Sequence, residues 1–338
     1  MLTRASATVE PSRLTLAPRI ARRNRCHRAP GGAASAGLEG ARSAVAERPR
    51  PTGRARKTRA GAGPEGWDRD ARRTCERATI PSVTTDRPTL VRFIERTTEG
   101  MQRPPIFEAS DGHRYVLKLD TADADFPIAE LVAAELAVAL DVRLPAFEIL
   151  DAPEPLVEAF IASGDRDHRE FAESFRRRGH SCFGSRFLDG IVVKWAERQR
   201  AIVGGAAEFL VNLLVFDGFV ENGDRTSATN PNLLVANGTL FAIDHGQALP
   251  CVAGLRSRLP FPFDSHLGWT TLVEDLSLLD EPLARLRGLA DTRIDAAVAR
   301  VPKEWWGAPE RPDMARAALR ERRDALPAIL EGVRERLR

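Results

Sequence analysis

Asn222-Gly223-Asp224-Arg225-Thr226, Asn230-Pro231-Asn232-Leu233-Leu234 and Ala242-Ile243-Asp244-His245-Gly246 are parts of one stretch, and their order decides the fold. Leu233 to Ala236 is a short apolar run. Asn237-Gly238 is a dipeptide that accepts the left-handed dihedrals of a two-residue hairpin turn, and Thr239 to Ile243 returns as the second strand. A hairpin brings its own ends together. Asn232, ahead of the first strand, and Asp244, behind the second, are therefore expected side by side, with Asp224 on the loop leading in. Two carboxylates with one or two carboxamides make an oxygen site of the kind that suits Mg²⁺, which takes its remaining ligands from phosphates and water. Asp, Asn and Gly are also ordinary turn residues, so each alone says little. The ordered set, with a hairpin between its parts, carries the reading; Asn237 and Gly238 belong to the turn only.

The upstream half supplies a matching cation. His113 to Leu119 reads as a strand after the turn pair Asp111-Gly112, and its alternation gives Lys118 a definite face. Ile128 to Leu140 reads as a helix, with Glu130 in its first turn, where a carboxylate also suits the helix dipole. A strand lysine on the nucleotide phosphates, held by a helix glutamate, followed by Asp, Asn and Asp in that order, is the part list of phosphoryl transfer in the kinase fold. Glu135 is the rival partner for Lys118, but it lies on a different face of the helix.

On these residues the segment from about 88 to 335 resembles the HipA-like kinase domains of bacteria, distant relatives of the protein and phosphatidylinositol kinases. Tyr115-Val116-Leu117-Lys118 and Ala129-Glu130-Leu131-Val132-Ala133 carry the resemblance upstream. It implies an α+β, two-lobed protein kinase-like fold with a small β-rich N-lobe and a mainly helical C-lobe. It also implies an ATP·Mg²⁺ site and transfer of the γ-phosphoryl group to a hydroxyl. Asp224 becomes the catalytic residue, Lys118 and Glu130 the ATP-binding pair, and Asp244 with Asn232 or Asn230 the metal ligands. One departure leaves the asparagine open: Asn-Pro-Asn follows Asp-Arg-Thr one residue later than in the family pattern. Asn232 is preferred because an apolar strand follows it directly.

Several further expectations attach to this frame. Pro145 to Leu150 and Leu156 to Ile161 read as two strands, the second running into a hinge that places adenine near Glu158 to Ile161. Thr97-Thr98-Glu99-Gly100 stands where a phosphate-covering loop belongs, although an ordinary polar turn is the preferred reading. Residues 196 to 221 read as one long helix delivering the chain to Asp224. Asp217, inside its apolar stretch, needs a partner and either braces the loop or lies at the surface. Arg225 either touches a phosphate or pairs with a neighbouring acid, and Asn222 is structural. His245 is expected to pack or to make a supporting hydrogen bond. Downstream, Thr270 to Leu286, Arg293 to Ala299 and Met314 to Leu337 read as helices. Trp305 and Trp306, in a Pro-x-x-Trp element of the resemblance, read as core anchors. Phe261 and Phe263 are a docking surface if exposed and packing if buried.

Charge divides the chain unevenly. Residues 1 to 80 hold 18 Lys+Arg against 7 Asp+Glu, leaving 32 against 40 in the remainder. The basic balance therefore belongs to the N-terminal segment, and an acidic core disfavours nucleic acid as its partner. That segment, rich in Arg, Ala, Gly and Pro without hydrophobic periodicity, reads as a disordered tail over residues 1 to 83. It resembles a transit segment, or a basic arm, or upstream sequence joined by a miscalled start. The third is the expectation, with initiation near Val83. The N-lobe is then expected over 84 to 163 and the C-lobe over 164 to 338. Cys26, Cys75, Cys182 and Cys251 show no paired spacing, so no zinc motif or disulfide framework is expected and a reducing, cytoplasmic setting follows. No apolar run is long enough to span a membrane.

The function expected is an ATP- and Mg²⁺-dependent phosphotransferase acting on a hydroxyl, Ser or Thr of a protein first. The alternatives are a small-molecule or lipid kinase on the same fold, a nucleotide-binding pseudokinase, and an interaction protein working through its basic arm.

Overall fold

A strand whose neighbours in space lie far off in sequence organises the first half of the molecule. The computed structural model describes residues 87–97, 103–120, 125–192, 205–225, 231–253 and 261–338, all within one unit, Glu76–Arg338. Strands β1 (Leu90–Arg96), β2 (Pro105–Ala109) and β3 (Arg114–Lys118) form a meander. It is followed by helix α1 (Phe126–Ala139), strand β4 (Phe147–Asp151), helices α2 (Glu154–Ser163) and α3 (Arg166–Arg177), and strand β5 (Ser181–Arg186). The five-stranded sheet runs β1-β2-β3-β5-β4, and every neighbouring pair is antiparallel.

The two faces of this sheet meet different partners. Tyr115 and Leu117 of β3 point into a cluster with Phe107, Phe160, Phe171 and Phe175, covered by α2 and α3. Val116 and Lys118, on the opposite face by the strand's alternation, turn toward α1. Helix α1 is apolar nearly all round and buried along most of its length, as a helix between two layers must be. Its residues share one core with the helices that follow.

The second half is mainly helical. Strand β6 (Ile191–Val192) pairs with β7 (Leu233–Ala236), which pairs with β8 (Thr239–Ala242) in a small antiparallel sheet. Around it lie α4 (Ala206–Val220), α5 (Pro250–Ala253), α6 (Trp269–Glu274), α7 (Asp280–Arg287), α8 (Asp291–Arg300) and α9 (Arg311–Leu337). Helix α4 is buried over almost its full length, from Phe209 to Val220.

Four expectations need correction. Residues 156 to 161 are helix, not strand: Pro155 sits in the first turn of α2, and Gly164 closes it in the left-handed region at φ 72°. Val157 and Phe160, spaced for one helical face, cover the sheet on the side away from Lys118, so adenine has no place near Glu158 to Ile161. The sheet also takes β5 from beyond residue 163, where the lobe boundary was expected. Thr270 to Leu286 is not one helix. Asp275 ends α6 and caps a 3₁₀ turn, its Oδ1 accepting from the Ser277 N–H at 3.0 Å. The described part of the helix expected over 196 to 221 is α4 alone. The tail over 1 to 83, Thr98-Glu99-Gly100 and Asn230 lie outside the described residues.

Among the described residues, no helix is long and apolar enough to cross a membrane.

Candidate active site

The β7–β8 hairpin has the register the dipeptide implies. Ala236 faces Thr239 and Leu233 faces Ala242, with Asn237 and Gly238 at φ 50° and 71° in the turn. The ladder continues one step further, the Ile243 N–H donating to the Asn232 carbonyl at 3.0 Å. Asn232 and Asp244 are thus held at the open end of the hairpin. Both are left-handed, at φ 45° and 62°. Asn232 Nδ2 donates to Asp224 Oδ2 at 3.0 Å, tying the preceding loop to the same place.

Lys118 reaches this group from the sheet. Its Nζ lies 2.7 Å from Asp244 Oδ1 and 3.1 Å from Glu130 Oε1. Glu130 also accepts from the backbone N–H of His245. Glu135, the rival, pairs instead with Arg300 at 3.5 Å. Burial alone would lower the Lys118 pKa, but the two carboxylates outweigh it and raise it. For Asp244 burial acts upward, and the ammonium overcomes it, holding the carboxyl at about 2. Burial dominates for Glu130 and raises it, helped by the Asp244 charge. The Asp244 side chain is 47 % exposed where Glu130 is 4 %. One carboxylate of the pair therefore faces solvent and can accept a cation, while the other only anchors the lysine.

Behind Asn232 and Asp244 lies a second, sealed cluster. Asp217, on α4, is fully buried. It accepts from Arg225 Nε at 2.7 Å, from His266 Nε2 at 2.9 Å and from Asn222 Nδ2 at 3.2 Å. Burial pushes Asp217 up, yet Arg225 and His266 hold it at about 2. Asp217 braces the loop, and Asn222 is structural as expected. Arg225 is 1 % exposed and pairs with the acid. His245 accepts from Arg225 Nη2 at 3.1 Å and packs edge-on against Phe216. Burial and the neighbouring guanidinium hold its pKa down to about 3, so the ring is neutral.

More distant ties fix the sheet against the helices. Arg178 grips Asp120 through Nε at 2.6 Å and Nη2 at 2.7 Å, and also holds Asp125 and the Trp305 carbonyl. Trp305 Nε1 donates to Ser181 Oγ at 2.8 Å. The end of β3 and the start of α1 are thereby joined to the C-terminal elements, which keeps Lys118 facing Glu130. Trp305 and Trp306 are core residues, and Phe261 is buried as well, so it packs rather than docks. His266, Arg178 and Arg322, which pairs with the buried Glu221 beside the Asp224 loop, were not singled out from sequence. Only the unpaired look of Asp217 in an apolar run pointed toward such partners.

A family model described as HipA-like kinase matches residues 90–330. The chain belongs to the HipA-like kinase family. Its kinase-like fold, a β-rich first part and a helical second part, agrees with that membership. Among solved structures, similarity is found to the Helicobacter pylori proinflammatory kinase CtkA. Identity there is 11 % and the TM-score 0.47, over 74 % of this chain and 98 % of that one. The Golgi casein kinase is similar at 14 % identity and a TM-score of 0.34, over 70 % and 74 % of the two chains. Its form with Mn/ADP bound gives 14 % identity and 0.33, over 70 % and 73 %. A comparison with curated proteins finds no significant match.

Among the described residues, no group of three or more His, Cys, Asp or Glu could hold a metal ion. The oxygen donors near the hairpin's open end are Asp224, Asn232 and Asp244. Such a donor set fits a hard cation that shares its coordination with phosphate oxygens better than one held wholly by protein.

Proposed function

We propose that this HipA-like kinase is an ATP- and Mg²⁺-dependent phosphotransferase that moves the γ-phosphoryl group to a hydroxyl, with Ser or Thr of a protein as acceptor. The observation that carries the reading is the joining of Lys118, Glu130 and Asp244, from three separate elements, beside the Asp224–Asn232 hydrogen bond. Lys118 is the group for the nucleotide phosphates, and Glu130 holds it in place. Asp224 accepts the proton of the attacking hydroxyl as the new O–P bond forms. The bond from the γ-phosphorus to the β,γ-bridging oxygen breaks, and ADP leaves. Asp244 and Asn232 are the metal ligands, with Asn230 as the further candidate. Mg²⁺, when bound, supplies charge compensation on the β- and γ-phosphate oxygens. The smaller lobe is taken to run through Arg186, the end of β5, and the larger from Ile191, the start of β6, because the two strands belong to separate sheets.

Asp224→Asn tests the assignment. The acceptor's proton then has no carboxylate to receive it, so transfer, read as γ-phosphate incorporation, is expected to fall about 10²–10⁴-fold. Nucleotide binding is expected to persist. Transfer at the wild-type rate contradicts the role given to Asp224. Nucleotide binding without any transfer by the wild type favours a regulatory module instead.

A further inference from the structure

Arg225 is engaged on every side. Nε donates to Asp217 Oδ2 at 2.7 Å. Nη1 donates to the carbonyls of Pro231 at 3.0 Å, of Asn232, and of Ile243 at 3.3 Å. Nη2 donates to the Ile243 carbonyl at 3.2 Å and to His245 Nε2 at 3.1 Å. With 1 % of the residue exposed, it has no donor to offer a phosphate.

The acceptors follow a pattern. Asn232 and Asp244 both have positive φ, 45° and 62°, a region that Asn and Asp enter more readily than other non-glycine residues, so what holds each of them there is a matter of its hydrogen-bonding surroundings. Arg225 holds the carbonyl of Asn232 itself. It also holds the carbonyl of Ile243, whose peptide bond leads into Asp244, and the imidazole of the residue just after. One rigid, planar fork therefore fixes the backbone at both proposed oxygen ligands, and Asp217 fixes the fork to α4. An ammonium, with three donors at a point, cannot span that set of acceptors.

We infer that Arg225 is a positioning residue that sets the spacing and orientation of Asn232 and Asp244 for a divalent cation, touching neither cation, nucleotide nor acceptor. The inference rests on the metal-dependent reading above. A guanidinium that only supported the fold would, when replaced, lower stability and leave the cation affinity of the folded protein unchanged.

The test is Mn²⁺ titrated into the full-length chain with ADP present, free Mn²⁺ being counted by electron paramagnetic resonance. Wild type is compared with Arg225→Lys, which keeps a positive charge opposite Asp217, and folding of each is checked by near-UV circular dichroism. The Mn²⁺ Kd of the folded variant is expected to rise about 10–100-fold, the range seen when groups behind metal ligands are lost. ADP affinity without metal is expected to stay unchanged. Folded Arg225→Lys that binds Mn²⁺ as tightly as wild type overturns the inference and leaves the kinase reading standing. Wild type that binds no Mn²⁺ overturns both. Should Arg225→Lys fail to fold, Asp217→Asn, isosteric and still an acceptor, decides instead: weakened Mn²⁺ binding is expected, and unchanged binding overturns the inference.

Discussion

Two polar clusters flank the Asn232–Asp244 pair, and they differ in what surrounds them. Lys118, Glu130 and Asp244 meet on the side of the sheet, where Asp244 is 47 % exposed and its partner can exchange for a ligand. Asp217, Arg225, His245 and His266 meet on the side of α4, each with no more than 3 % exposure. Both clusters carry a cation between acids or acceptors. In the open one a change at Asp244 costs little, because water reaches that carboxylate. In the sealed one every group is bought out of water already, so removing one leaves the others unpaired. In the proposed function the chemistry falls to the first cluster, and the geometry that chemistry needs falls to the second.

The largest effect expected from breaking this contrast is on stability, from Asp217→Ala. It strands the Arg225 charge in the interior and should cost about 3–5 kcal/mol in urea unfolding. A loss below about 1 kcal/mol would mean that water enters the sealed cluster and that the contrast is false.

The next is a pH dependence with a defined sign. His245 is neutral when folded, its pKa held at about 3, while the unfolded ring takes a proton near 6.5. The unfolded state therefore binds more protons between these values, and stability falls as pH drops through 6.5. This one group should remove about 2 kcal/mol between about pH 7 and pH 5. His266 is lowered too, first by burial, and acts in the same direction. Asp217, held at about 2, adds a separate loss only as pH falls below its ordinary carboxylate range. His245→Gln should flatten the upper step in denaturant unfolding measured across pH; an unchanged slope would show that the ring is not the sensor.

Trp305→Phe removes the donor to Ser181 Oγ and the Arg178 carbonyl and leaves a void where the larger ring of a fully buried indole lay. The expected loss is about 1–3 kcal/mol, from the acceptors left unpaired together with the void. The smallest effect on stability is expected from Asp244→Asn, in the open cluster, at less than about 1 kcal/mol. Thermal unfolding without ligand reads both.

Much of the site was legible because its signals were local. Asn237-Gly238 dictated a hairpin, the hairpin dictated that Asn232 and Asp244 adjoin, and strand alternation gave Lys118 its face. Where signals conflicted, the reading failed. Leu156, Val157, Phe160 and Ile161 look like a buried strand, but Pro155 and Gly164 bracket a helix, and the spacing of Val157 and Phe160 fits one face of it. Strand β5 was invisible because Ser181 to Arg186 carries no clear alternation, and its place in mid-sheet comes from pairing with β3 and β4. Arg225 was undecidable for a related reason. Its acceptors lie at 217, 231, 232, 243 and 245, and only tertiary folding shows that one side chain reaches all of them.

The most direct measurement is the thermal midpoint of the full-length chain with and without Mg²⁺·ATP, beside Asp244→Ala. Ligand at about a hundredfold over its Kd stabilises by about 2.7 kcal/mol, which moves the midpoint of a domain this size by roughly 5–10 °C. An upward shift that requires both Mg²⁺ and Asp244 is the expected result. No shift at millimolar Mg²⁺·ATP, or an equal shift in Asp244→Ala, would contradict the proposed nucleotide and metal site.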